Sequence, residues 1–188
     1  MRKIILATAS PQRVEIFRKA GLPFESEESG FEETTPKELS PHDLVEHFAV
    51  EKARAVAKRY PEALVIGADT VVVLGSEIFG KPKTRELACA MLKKLSGTTH
   101  SILTGFAIVG NGKEISRVEE TKITFRKLSD EEITAYVESG EALEKAGGYA
   151  LQLGAAKFID NIEGDRDNGI GLPLSAVLEE LRKFEPSF

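Results

Sequence analysis

An α/β fold built on a mixed sheet follows from three features of the 188-residue sequence. Segments with helical spacing of apolar residues alternate with short apolar runs of strand length, the pattern of packed strand and helix layers. Two long strand candidates meet at Gly110-Asn111-Gly112, a turn sequence that suits an antiparallel hairpin. Helices thus interleave with both hairpins and isolated strands, so the sheet is expected to be mixed rather than purely parallel.

Residues 3–8 read as a strand buried on both faces. Ser10 then supplies an N-cap, Pro11 the first helical position and Gly21 the stop. The position that would complete a capping box holds Arg13 instead of Glu or Gln. A cation there faces the positive end of the helix dipole, an opposition of about 0.3–1 kcal/mol. Pro23–Glu27 is a short strand candidate, and Glu28–Leu39 an acidic, proline-punctuated surface loop. Ser40-Pro41 repeats the cap and opens a helix over 41–59, with Leu44, Val45, Phe48 and Val56 at helical spacing. Leu64–Leu74 is a valine-rich strand expected to break at Gly67-Ala68-Asp69, and Gly75-Ser76 turns it into Glu77–Phe79. A helix over 84–95 ends at Gly97, and the hairpin strands span 99–109 and 114–127. Ser129-Asp130-Glu131-Glu132 is a capping box that opens a helix to Glu138, stopped by Ser139-Gly140. Residues 148–160 read as another hairpin strand, and Leu174–Phe184 as a terminal helix. With no linker, repeat or low-complexity segment, residues 1–188 are expected to form one domain whose early αβ half and later hairpin half make two lobes sharing a sheet, with a cleft for a small ligand.

Composition narrows the function classes. Apolar (41%) and charged (29%) fractions are those of an ordinary globular protein. A net charge of −5 argues against nucleic acid and anionic membrane as partners, but leaves room for a small anion held by a few placed cations. No run approaches the roughly 20 apolar residues of a membrane span. Only a short apolar segment follows Arg2-Lys3, so a secretory leader is not expected. The single cysteine, Cys89, suits the cytoplasm and is expected to be packed inside a helix.

A handful of residues carry chemical potential. Asp69 in a valine-rich strand is expensive to bury alone, and is either a turn residue bonding its own backbone or the partner of a cation, metal or water. Gly75–Pro82 mimics a phosphate-binding P-loop, but Pro82 replaces the required hydroxyl, the next helix begins late and Glu77–Phe79 reads as a strand; Lys81 survives as a positioned cation. Lys52 lies on the 41–59 helix, where a lysine by default covers a solvated face. Glu32-Glu33 is either a solvated acidic pair or a Mg²⁺ ligand, since that ion takes one or two carboxylates plus phosphates and water. Asp165–Gly169 begins like a calcium loop without the closing Glu and reads as a turn; His42, His47 and His100 lack metal-ligand spacing. Together these residues suit phosphoanhydride chemistry: cations clamp phosphates, one carboxylate holds Mg²⁺ and another activates water.

In sequence order, ATASPQR (7–13), Glu33, EKA (51–53), GADTVV (67–72), GKP (80–82), LSGTTHSILTG (95–105), TFRKLSDEEITAYVESGE (124–141), KAGGYALQ (145–152) and GLPL (171–174) cover nearly the whole chain. The set resembles the Maf proteins, septum-formation-inhibitor-like nucleoside triphosphate pyrophosphatases. The resemblance implies a fold similar to the inosine-triphosphate pyrophosphatases (Maf/HAM1), with an elongated, twisted mixed sheet flanked by helices and a central cleft. It also implies a nucleoside triphosphate diphosphatase that cleaves between the α and β phosphates using Mg²⁺, or Mn²⁺ or Co²⁺, and a homodimer. By the same resemblance, Asp69 is the proton acceptor, Lys52 and Lys81 assist at the phosphates with Ser10 and Arg13, and Glu33 joins Asp69 in holding metal. Thr70 and Gln152 match the base-reading positions of the dTTP/UTP branch, whereas Gln12 replaces the usual Arg and Leu153 the usual Gly. Gln12 still offers a donor and an acceptor to a pyrimidine edge. The implied role is house-cleaning of nucleotides, with a link to division arrest. The competing reading is a nucleotide-binding regulator of septation without catalysis, against which the retained Asp69, Glu33, Lys52 and Lys81 speak.

Overall fold

The computed structural model describes residues 2–34 and 39–185. The chain runs β1 (Ile4–Ala7), α1 (Pro11–Arg18), β2 (Phe24–Glu27), α2 (Pro41–Ala57), β3 (Leu64–Leu74), β4 (Glu77–Phe79), α3 (Arg85–Leu95), β5 (Thr99–Gly110), β6 (Lys113–Phe125), α4 (Asp130–Glu138), β7 (Ile159–Glu163), α5 (Arg166–Ile170) and α6 (Leu174–Phe184). Seven strands form one sheet in the order β2-β1-β3-β5-β6-β7, with β4 also on β3. β1 lies parallel to β2 and β3, whereas β4 on β3 and β7 on β6 are antiparallel, so the sheet is mixed as expected.

Contacts divide the chain into two units. The first comprises residues up to Asp69, Thr104–Glu119 and those from Gly171 onward. It holds β1, β2, α1, α2 and α6, and an apolar cluster made by Ile5, Ala7, Ala49, Ala53, Val56, Ala63, Val65 and Ala107. Small residues dominate the seam between α2 and β3 for a steric reason. A Cβ on Gly67 would lie 2.2 Å from the Ala49 carbonyl oxygen and 2.7 Å from the Ala53 nitrogen, so only glycine lets the helix backbone come this close. Gly105 on β5 does the same beneath Val45 of α2.

The second unit comprises Thr70–Leu103 and Glu120–Ile170. Its core is aromatic: Phe79, Phe125, Tyr136, Tyr149 and Phe158 pack with Leu92, Leu95, Ile123 and Ile133. The capping box at Ser129 forms with both of its hydrogen bonds, 3.2 Å from the Glu132 amide to Ser129 and 3.0 Å back from the Ser129 amide to Glu132. Asn111 and Gly112, both at positive φ (53° and 66°), make the tip of the β5–β6 connection, as the turn sequence requires.

Four expectations are corrected. β3 runs unbroken from Leu64 to Leu74: Gly67 serves close approach rather than a break. Residues 148–160 are mostly not a strand, because Gly147 and Gly148 turn the backbone into positive φ (67° and 75°) and 3₁₀ turns occupy Ala146–Gly148 and Gly154–Phe158; the strand begins only at Ile159. Asp165–Gly169 leads into a short helix, α5, with the Asp165 carboxylate accepting from the Asp167 amide at 2.8 Å. Cys89 is half-buried against the aromatic core rather than enclosed. Part of the acidic loop, residues 35–38, lies outside the described residues.

Candidate active site

Strand alternation places Gly67 and Asp69 on one face of β3. Because Gly67 lets α2 settle closely on that face, Lys52, one residue before Ala53, reaches Asp69. Its Nζ lies 2.6 Å from Asp69 Oδ1 and 2.6 Å from Glu33 Oε1. The lysine side chain is 11% exposed and the Asp69 side chain 12%, whereas Glu33 is half in solvent at 48%. The Phe48 ring, one helical turn earlier, sits 5.9 Å from the ammonium. Lys52 therefore departs from the solvated-face default, and Asp69 is the partner of a cation rather than a turn residue.

Arg13 joins this group from α1. Ser10 caps the helix by accepting from the Arg13 amide at 3.5 Å, and Ser10 Oγ donates to Gln12 Oε1 at 3.1 Å. The Arg13 Nε donates to the Gly171 carbonyl at 2.8 Å, tying the guanidinium to the loop before α6. Burial pulls the Arg13 pKa down, opposed by the carboxylates of Asp69 and Glu33. The group remains a cation, as arginine does in proteins.

Burial likewise governs Asp69. Loss of solvation raises its pKa above the ordinary carboxyl value, and the charges of Lys52 and Arg13 only partly offset this. Two cations and two carboxylates make the formal charge of the group zero. A polyanion is thus not drawn in by these four side chains alone; further positive charge must accompany it.

The remaining expected residues belong to the second unit. Thr70 follows Asp69 in β3 and is half-buried. Lys81 is exposed, with its Nζ 3.7 Å from Glu144 Oε2. The Gly147 amide donates to the Gly80 carbonyl at 3.0 Å, which fastens the Gly80–Pro82 loop to the segment after Lys145. Lys145 carries a pKa lowered first by burial and then by the charge of Lys81, so two cations stand together. The sequence offered Lys145 only as the first letter of KAGGYALQ, and nothing in its local pattern set it apart. Gln152 is exposed on a turn between the two 3₁₀ segments. The P-loop likeness at Gly75–Pro82 is broken structurally: Glu77–Phe79 pairs with β3, and α3 begins at Arg85 under a Thr84 cap.

The model of the Maf-like protein family matches residues 3–184. The chain belongs to this family. A dTTP/UTP pyrophosphatase of Bacillus anthracis is 46% identical over 184 residues, covering 98% of this chain and 96% of the relative. One from Bacillus thuringiensis subsp. konkukian is equally similar, at 46% over the same shares. A solved HAM1 protein of Coxiella burnetii superposes with a TM-score of 0.55 at 14% identity, covering all of both chains, which bears on the fold alone.

In this Maf-like chain the donor pair suited by type to a hard divalent cation is Asp69 and Glu33, whose oxygens converge on one positive group, the Lys52 ammonium. That donor chemistry fits Mg²⁺. Among the described residues, the group of three or more metal-capable side chains is His42, Asp43 and Glu46 near the start of α2. Its carboxylates already accept from Ser40 (2.6 Å) and Ser116 (2.7 Å).

Proposed function

We propose that the protein is a nucleoside triphosphate pyrophosphatase that hydrolyses the α–β phosphoanhydride of dTTP and UTP to monophosphate and pyrophosphate. The observation that carries this reading is the Lys52 ammonium at 2.6 Å from both Asp69 and Glu33, with Arg13 beside them. Simple nucleotide binding needs cations but no buried carboxylate, whereas hydrolysis needs a group to activate water. The names of the 46%-identical relatives point to the same activity.

In this mechanism Asp69 accepts the proton of the attacking water. Burial raises its pKa, which makes it a stronger base than an exposed carboxylate. Lys52 orients Asp69 before substrate arrives and offers its ammonium to the phosphate oxygens as negative charge develops. Arg13, capped by Ser10, grips the triphosphate, and Lys81 supplies the positive charge that the neutral group lacks. Asp69 and Glu33 would hold a divalent cation, Mg²⁺ or alternatively Mn²⁺ or Co²⁺, which neutralises phosphate charge and makes bound water more acidic. Thr70, Gln152 and Gln12 read the pyrimidine; with Gln12 in place of Arg, CTP and modified nucleotides come into range. The role is house-cleaning of the nucleotide pool, with arrest of division as a downstream link. Residues 1–188 act as one domain in a cytoplasmic homodimer, a location in keeping with the lone Cys89.

The test is to incubate the protein with Mg²⁺ and dTTP, UTP, CTP or 7-methyl-GTP in turn and resolve the products. Monophosphate plus pyrophosphate, fastest from dTTP and UTP, is the expected result. Tight binding without turnover, or diphosphate plus orthophosphate, would overturn it.

A further inference from the structure

His100 and Tyr149 form a buried polar contact that the mechanism above does not use. His100, on β5, is 2% exposed and Tyr149 5%, and His100 Nε2 meets Tyr149 Oη at 2.6 Å. Their surroundings are aromatic: the Phe125 ring centroid lies 4.9 Å from that of His100 and 4.7 Å from that of Tyr149. Burial pushes the imidazole down to about 4, so it stays neutral at physiological pH. Nδ1 is enclosed without a hydrogen-bond partner among the described residues. An apolar pair of the same shape would avoid the desolvation cost of that nitrogen.

What the contact restrains is the segment Gly147–Gly154, which has no strand ladder of its own. Four anchors fix it. The Gly147 amide bonds to Gly80 at 3.0 Å, Tyr149 to His100, and the Gly154 amide to Glu141 Oε2 at 2.9 Å. Leu151 is buried over Gly169, where a Cβ would come within 2.5 Å of its Cδ1. Between these anchors only Gln152 and Leu153 project into solvent. Of these four, the Tyr149 anchor alone is a hydrogen bond between two side chains, and its partner His100 lies on β5.

We infer that the His100–Tyr149 hydrogen bond is a positioning clamp for Gln152, and hence a determinant of which base the enzyme accepts. A side-chain amide that reads a base edge must be held to a fraction of an ångström by groups whose own rotamers are locked. His100 and Tyr149 are positioning residues, with no contact to substrate. The clamp rests on the base-reading role of Gln152 in the proposed pyrophosphatase.

The experiment compares kcat and KM for dTTP and CTP in the full chain bearing Tyr149→Phe, His100→Phe, His100→Gln or Gln152→Ala, with thermal unfolding as a check on folding. Tyr149→Phe keeps the ring and removes only the hydroxyl. It is expected to lower the dTTP-over-CTP preference about fivefold, the worth of one hydrogen bond, through KM and with kcat held. His100→Phe should match it, and His100→Gln, which retains a hydrogen-bonding group near Nε2, should restore the preference. Equal loss for both nucleotides, or an unchanged preference in a folded Tyr149→Phe protein while Gln152→Ala shifts it, overturns the clamp and leaves the role of Gln152 standing. An unchanged preference in Gln152→Ala overturns that role and the clamp with it.

Discussion

Lys52 and Asp69 lie 2.6 Å apart, yet removing either should have opposite consequences for stability. Lys52→Met leaves the Asp69 side chain, 12% exposed, without its ammonium. Breaking a buried pair from one side costs about 3–5 kcal/mol. Protonation sets a ceiling on that loss: a carboxyl with an unfolded pKa of about 3.9 can be neutralised at about 1.4 kcal/mol per pH unit, or about 4 kcal/mol at pH 7. At pH 5 the ceiling drops to about 1.5 kcal/mol by the same relation. For a chain of this size each kcal/mol moves the melting temperature about 2–4 °C, so the variant should melt about 6–16 °C lower at neutral pH and recover at least about half of the difference at pH 5. Asp69→Asn strands nothing, because Lys52 keeps Glu33 at 2.6 Å. In the parent protein the raised Asp69 pKa means that the folded state binds the proton more tightly than the unfolded chain. This group therefore erodes stability as pH rises from its unfolded pKa through the folded one, and holds its full penalty above that. Asp69→Asn removes the penalty and should melt at the parent temperature or higher. Thermal unfolding of both variants without added metal, at the two pH values, measures this; an Asp69→Asn protein less stable than Lys52→Met, or a Lys52→Met deficit unchanged at pH 5, refutes the electrostatic reasoning.

Gly67→Ala should lose about 3 kcal/mol and most turnover together, since a Cβ 2.2 Å from the Ala49 oxygen forces α2, and Lys52 with it, off the strand; parent-like melting and turnover would mean the close approach is not required. Ser129→Ala should cost about 1 kcal/mol in denaturant unfolding through loss of the Ser129 end of the capping box and leave turnover unchanged. Arg13→Lys should raise KM for dTTP about tenfold, because a point charge cannot both hold the Gly171 carbonyl and present a planar fork to phosphate; an unmoved KM would make Arg13 a bystander.

What the sequence revealed was whatever neighbouring residues decide among themselves. Ser10-Pro11, the Ser129 capping box and Asn111-Gly112 act through hydrogen bonds and backbone preferences within a few positions, and each appears where expected. Gly67 looked like a strand break because its use is tertiary: the space it leaves is filled by a helix distant in the chain. The stretch 148–160 carried strand-like residues, yet Gly147 and Gly148 bend the backbone beforehand and separate anchors, some backbone and some side-chain, stand in for a ladder. Among site residues, Asp69 announced itself through the cost of a carboxylate among valines. Lys52 did not, since a lysine on a helix reveals its charge and not the direction it faces. Its pairing with both Glu33 and Asp69 needed the fold.

The central claim is that Asp69 acts on water rather than on substrate. Turnover of dTTP by Asp69→Asn, set beside its affinity for a non-hydrolysable α,β-methylene analogue measured calorimetrically with Mg²⁺, tests this most directly. The expected result is a kcat lower by about 10²–10⁴-fold, the range for losing a general base, with analogue affinity within a few fold of the parent. A variant that still hydrolyses dTTP at near the parent rate, or that fails to bind the analogue at all, would contradict it.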